Sequence, residues 1–176
     1  MSSRTLLSRL LRLVRFFAAV DGPAQRRVIQ LHDMRLKDVR TITNQDRLIE
    51  IIRMHGDDDV VIAAVLRLER QPSIEAIAFE VDLRPVARLT AVSRMTSDQR
   101  KAYLARTDLN VAVATYAARE IRGAECRATL VDAKHETVRF IAAQSVTDFQ
   151  KLKEIAERDD APSVRDYART RLTVYH

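Results

Sequence analysis

Arginine recurs along this chain at spaced positions, and it is the residue type whose spacing first suggests a chemistry. Arg35, Arg88, Arg139 and Arg165 each stand near the start of an apolar-periodic segment. Arg67, Arg94 and Arg171 stand just before the last apolar residue of such a segment. A guanidinium is a planar fork of donors that matches carboxylate and phosphate geometry, so a regular ladder of them would read phosphates or an acidic peptide. The same ladder can pair instead with the acidic residues of neighbouring segments. Residues 41–176 carry 21 basic and 21 acidic side chains, and that balance favours internal pairing.

The other reactive side chains form no catalytic set. Asp57, Asp58 and Asp59 are clustered carboxylates of the kind hard cations seek, but such ions want ligands on alternate loop positions. A run that falls in a turn is better read as a solvated helix cap. Of the four histidines, His32, His55, His135 and His176, none has another His or a Cys at ligand spacing. His55 precedes the Asp run, so a His/Asp proton-transfer pair is conceivable, but no nucleophile or Gly-rich loop accompanies it. Cys126 is the single cysteine, which excludes an internal disulfide and a cysteine-ligated zinc or iron–sulfur site. With Arg122, Glu125 and Arg127 nearby it reads as a small half-buried residue in a helix. No enzyme activity, metal or cofactor is expected, and the lone thiol suits a reducing compartment, taken as the cytoplasm.

Charge is uneven along the chain. Residues 1–40 hold nine Lys/Arg against three Asp/Glu, so the net charge of +6 belongs wholly to this segment. Ser3–Val20 contains no acidic residue and sets Arg4, Arg9, Arg12 and Arg15 among Leu6, Leu7, Leu10, Leu11, Phe16 and Phe17. As a helix it has a wide apolar face and a basic strip. Residues 4–17 could therefore lie on a membrane surface, or serve as an organelle-targeting presequence. The favoured reading is a capping helix over the first repeat. No apolar stretch approaches the roughly 20 residues of a membrane span.

The elements that must position these residues come from an internal repeat. The frame Val/Ala–x3–Ala–x3–Leu fits Val60/Ala64/Leu68, Ala87/Ala91/Met95, Val113/Ala117/Ile121, Val138/Ala142/Val146 and Val164/Ala168/Leu172. The central alanines advance by 27, 26, 25 and 26 residues. Spacing i, i+4, i+8 puts each trio on one helical face, and the small central Ala lets neighbouring helices approach closely. A second helix precedes each of these, anchored by Leu48/Ile49/Ile52, Ile74/Ile77/Ala78, Leu104/Ala105, Leu130/Val131 and Leu152/Ile155/Ala156. Each helix should run about 9–13 residues, marginal alone and stable when stacked. Acidic turns separate the two helices: Asp57–Asp59, Asp82, Asp108, Asp132, Asp159 and Asp160 are expected to cap the helix that follows. Pro85 and Pro162 fit its first turn. At the other junction the capping candidates are Thr43/Asn44, Thr96/Ser97 and Thr147/Asp148. A degenerate sixth copy is expected ahead of these, with Met34, Arg35, Asp38 and Ile42 in the frame.

The run Val138-Arg139-Phe140-Ile141-Ala142, then Thr147, Leu152-Lys153-Glu154-Ile155-Ala156, Asp159 and Val164-Arg165-Asp166-Tyr167-Ala168, resembles HEAT-like repeats. It is similar above all to the short leucine-rich repeat variant type, over roughly residues 42–172. That resemblance implies a curved helical superhelix that binds partners on its concave face, with no common chemistry. Some relatives carry a cysteine cluster for an iron–sulfur centre, which this chain lacks. The expected architecture is all-α: an α-solenoid of about five to six short two-helix repeats with an N-terminal capping helix. Residues 1–41 form the basic helical cap and degenerate first repeat, and residues 42–176 the tandem repeats, as one continuous domain.

Two functions fit. The first is a non-enzymatic scaffold presenting a concave helical surface to a partner protein or peptide. The second is nucleic-acid binding through Arg26, Arg27, Arg35, Lys37 and Arg40, with the ladder of Arg88, Arg139 and Arg165. With no Trp and only 5% aromatics, base-stacking platforms are poorly supplied, and chemistry on a DNA base is not expected. No small-molecule substrate is evident.

Overall fold

The computed structural model describes residues 35–174. These residues form eleven α-helices and one 3₁₀ turn, with no strand among them. The capping helix expected over Ser3–Val20, together with Arg26, Arg27, His32, Met34 and His176, lies outside the described residues. Among the described residues no helix is long and apolar enough to cross a membrane. The described residues divide into two compact units between Ala64 and Val65.

In the first unit α1 (Leu36–Val39) and α2 (Gln45–Met54) precede the start of α3 (Asp58–Leu66), which spans the boundary in sequence. Asn44 starts α2: its side-chain oxygen accepts from the Arg47 N–H at 2.9 Å, satisfying one of the donors that every helix start leaves open. Leu48, Ile51 and Ile52 put a buried stripe on α2 at helical spacing. The chain then turns at buried His55, whose Nδ1 accepts from the Asp57 N–H at 3.1 Å. Asp57 caps α3, accepting from Asp59 N–H at 2.8 Å and Val60 N–H at 3.2 Å. His55 and the Asp run thus build a turn. The frame proposed for the degenerate copy is displaced: Asp38 is exposed and accepts from the Arg35 N–H at 3.0 Å, while Val39 beside it is buried. A carboxylate without a cation cannot take an interior position, so the apolar neighbour takes it.

The second unit is a series of helical hairpins. Its helices are α4 (Gln71–Phe79), α5 (Pro85–Arg94), α6 (Asp98–Thr107), α7 (Val111–Arg119), α8 (Ala124–Ala128), α9 (Glu136–Ser145), α10 (Phe149–Arg158) and α11 (Pro162–Val174). The pairs α4–α5, α6–α7 and α10–α11 pack as hairpins, and α8 with the 3₁₀ turn Thr129–Asp132 packs on α9. Each second helix also packs on the next, α5 on α7, α7 on α9 and α9 on α11. The repeat frame forms these contacts: Ala91, Ala117, Ala142 and Ala168 are fully buried, and so are Ala87, Val113, Val138 and Val164. Leu152 buried between α10 and α11 stabilises by about 2 kcal/mol, the usual value for one enclosed Leu.

Three details depart from the sequence reading. In four of the five copies the third frame residue is not on the helix: Met95 and Val146 are extended residues just past the ends of α5 and α9, and Leu68 and Ile121 likewise follow theirs, while Leu172 stays on α11. All four are buried, so the chain plugs the core as it leaves the helix. The turn acids also divide by role. Asp108 and Asp159 follow the first helix of their pair and accept from the N–H two residues on, while Asn110 caps α7 through Ala112 N–H at 3.0 Å. Asp82 is exposed, and α5 starts at Arg84 with no side-chain cap, helped by Pro85. Finally α8 has five residues where about ten were expected, and a 3₁₀ turn completes it. This is the copy with the 25-residue spacing. The 3₁₀ rise of about 2 Å per residue lets nine residues cover the roughly 15 Å that ten α-helical residues cover elsewhere.

Candidate functional site

Three arginines of the ladder, Arg88, Arg139 and Arg165, are bonded within the second unit. Arg88 is 3% exposed, and its guanidinium bonds Asp108 through Nη2 and Nη1 while Nε donates to the Ala78 carbonyl at 3.0 Å. Arg139 donates to both carboxylate oxygens of Asp159 at 2.9 and 3.0 Å, and its Nη1 donates to the carbonyls of Ala133 and Lys134. Arg165 repeats that last arrangement, its Nη1 donating to the carbonyls of Asp159 and Asp160 at 2.6 and 2.9 Å. In the first and second cases a guanidinium at the start of one second helix holds the turn of the following hairpin. Burial pushes the Asp159 carboxyl up, but hydrogen bonds from Arg139 and the Ala161 N–H, with the charges of Arg139 and Arg165, outweigh it and leave it below the usual carboxylate value. Arg139 is held above its ordinary value, chiefly by the hydrogen bond to Asp159.

Two arginines of the other register, Arg94 and Arg171, close helix C-termini, and Lys101 outside that register does likewise. Arg94 Nη1 donates to the Val65 carbonyl at 2.6 Å, Lys101 Nζ to the Glu120 carbonyl at 2.9 Å, and Arg171 Nη1 to the carbonyls of Ala143, Gln144 and Val146. Arg94 and Arg171 thus meet the open carbonyls and negative dipole end of a helix in the preceding copy, and Lys101 does the same within its own hairpin. Asp98 does the reverse: its Oδ2 accepts from the Gly123 and Arg122 N–H groups at 2.8 and 3.1 Å, and these bonds, Gly123's first, lower its pKa. Arg100 lies over the Phe79 ring at 4.5 Å and bonds Glu75 at 3.0 Å.

Of the eight predicted binding residues, Arg26 and Arg27 lie outside the described residues. Arg35, Lys37 and Arg40 are exposed in and beside α1. Arg88, Arg139 and Arg165 are in the second unit, each bonded within it. Among the described residues no three His, Cys, Asp or Glu side chains meet where they could hold a metal ion. Cys126 is half-buried, and its thiol is pushed up by burial and then by the Asp98 charge, against the pull of Arg106.

Among the described residues, one opening in the second unit is lined by residues outside the arginine registers. A groove of about 400 Å³ has Phe140 and Ile141 of α9 as its apolar floor. Arg119 at the end of α7 and Arg127 in α8 line it, with Glu136 and Thr137 at the start of α9 and Ser163 in α11. Phe140 is steadied by the Tyr167 ring, centroids 4.9 Å apart. Glu136 and Ser163 are joined at 2.6 Å, and Thr137 meets the Thr115 hydroxyl at 2.8 Å. Arg127 Nε is buried with no hydrogen-bond partner. Arg119 and Arg127 fall in neither arginine register of the repeat. Standing out of register is not by itself a signal, since Arg100 and Arg106 do so too and bond Glu75 and Asp132. No protein-family model, curated protein or solved structure matches the chain, so these side chains alone carry the functional reading.

Proposed function

We propose that the chain is a non-enzymatic helical-repeat scaffold, an α-solenoid of about five to six HEAT-like two-helix repeats, that binds a partner protein or peptide along its second helices. The observation that carries this reading is the groove on Phe140 and Ile141, because three successive hairpins build it. No hairpin alone could present it, which is what a repeat scaffold contributes. Supporting the architecture are the fully buried alanines Ala91, Ala117, Ala142 and Ala168 and the serial packing of α5, α7, α9 and α11. The single thiol fits work in the cytoplasm.

The competing reading, nucleic-acid binding, draws on exposed Arg35, Lys37 and Arg40. It loses the ladder, since Arg88 and Arg139 spend their donors on Asp108, Asp159 and backbone carbonyls. The full chain used as bait at physiological salt should retain a protein partner. A fluorescence titration against duplex DNA and single-stranded RNA at low salt should show no binding. Retention of no protein, or binding of nucleic acid that weakens steeply with salt, reverses the preference.

A further inference from the structure

Resting on the scaffold reading, we propose that the α9 groove is a site for an acidic, apolar peptide segment: a carboxylate seats between Arg119 and Arg127 while an adjoining apolar side chain lies on Phe140 and Ile141. Three observations carry it. Arg119 and Arg127 line one opening and, unlike those of Arg88, Arg139, Arg165 and Arg171, their side chains make no hydrogen bond or ion pair among the described residues. Arg127 Nε is buried and unsatisfied, and a sequestered cationic donor is costly until an acceptor arrives. The same opening is lined by aromatic Phe140 and aliphatic Ile141, with the Phe140 ring held by Tyr167. An anion alone would use the arginines and leave that floor wet.

The same groove discriminates against polyanions. Glu136 stands in its lining with one oxygen already accepting from Ser163, so its charge is fixed in place. A phosphodiester chain brings closely spaced charges that would meet Glu136. A peptide can set a single carboxylate between the arginines and turn an uncharged residue toward the glutamate. Arginine, rather than lysine, suits this role because its fork takes a carboxylate through two parallel bonds.

The test is selection of a phage-displayed random dodecapeptide library on the full chain. Enriched peptides should carry Asp or Glu next to Leu, Ile or Phe. As synthetic peptides they should bind at least tenfold more weakly to the Arg119→Gln/Arg127→Gln variant, and to the parent chain when their carboxylates are replaced by amides. Should the double variant fail to fold, Arg119→Gln alone, at an exposed position, is expected to weaken binding about threefold or more. Enriched peptides that bind the variants as tightly as the parent chain overturn the groove while leaving the scaffold reading intact. Displacement of the peptide by an oligothymidylate or by millimolar inorganic phosphate overturns the peptide assignment in favour of phosphate. No enrichment at all overturns both readings.

Discussion

Arg139 and Asp159 stand twenty residues apart in the chain and meet through two parallel hydrogen bonds of 2.9 and 3.0 Å, one guanidinium edge against one carboxylate. The arginine opens the second helix of one hairpin, and the aspartate closes the first helix of the next. Their side chains are 14% and 6% exposed, so the pair is a largely desolvated staple between copies. Replacing Arg139 by Ala leaves a buried carboxylate without its cation and should cost about 3 kcal/mol, the usual result of removing half of a buried pair. Urea unfolding of Arg139→Ala and Asp159→Asn checks this. Losses that simply add in the double variant would mean the two residues are not coupled.

The pH dependence follows from Asp159 and Asp98. Both carboxyls sit below their ordinary value in the folded chain, Asp159 because Arg139 and the Ala161 N–H outweigh its burial, Asp98 mainly through the Gly123 N–H. A depressed folded pKa means that the unfolded chain binds the proton more readily. The stabilisation is therefore complete above the ordinary value of about 3.9 and drains away as pH falls through the lower, folded values. Urea midpoints should stay level from about pH 7 to pH 5 and drop below about pH 4. Asp159→Asn should be less stable at neutral pH and lose less on acidification than the parent chain.

Helix starts offer a paired comparison. Asp148 accepts from the Lys151 N–H at 2.8 Å, and its change to Ala should cost about 1 kcal/mol. Asp82, exposed in a turn two residues before Arg84, caps nothing, and Asp82→Ala should stay within about 0.5 kcal/mol of the parent. Equal effects at the two positions would contradict the assignment of the cap to Asp148 alone.

Close approach of the second helices predicts intolerance to size. Ala117 is fully buried on α7, which packs against both α5 and α9. Ala117→Leu must force these helices apart and should destabilise by about 3 kcal/mol or more, with a lower melting temperature by calorimetry. Ala112→Leu on the exposed side of the same helix serves as the control and should be nearly neutral.

Cys126 should react sluggishly. Burial and the Asp98 charge raise its thiol above the ordinary value, which lowers the thiolate fraction at neutral pH. Alkylation by iodoacetamide at pH 7.5 should run slower than for glutathione. A faster rate would mark the thiol as activated and reopen a chemical role for it.

The periodic sequence already determined the helices and their interior. A trio such as Val138, Ala142 and Val146 is apolar at fixed intervals, and local spacing suffices to say which side chains must leave water. The caps Asn44, Ser97 and Asp148 were legible for the same reason: a cap bonds to an amide three residues away. That the arginines pair with acids of neighbouring segments was legible from the charge balance of residues 41–176, but which acid each one meets was not. Arg88 and Arg139 could have faced solvent or the next hairpin, and only the packing of one copy on another brought carboxylates and helix ends to them from 20 or more residues away. The tertiary structure also decided where a helix stops, setting Met95 and Val146 beyond the helix as plugs, where Gln71 donates to the Arg94 carbonyl and Arg171 to the Val146 carbonyl. The groove belongs to the same class. Arg119, Arg127 and Phe140 come from three elements, and their meeting is a property of the stack rather than of any segment.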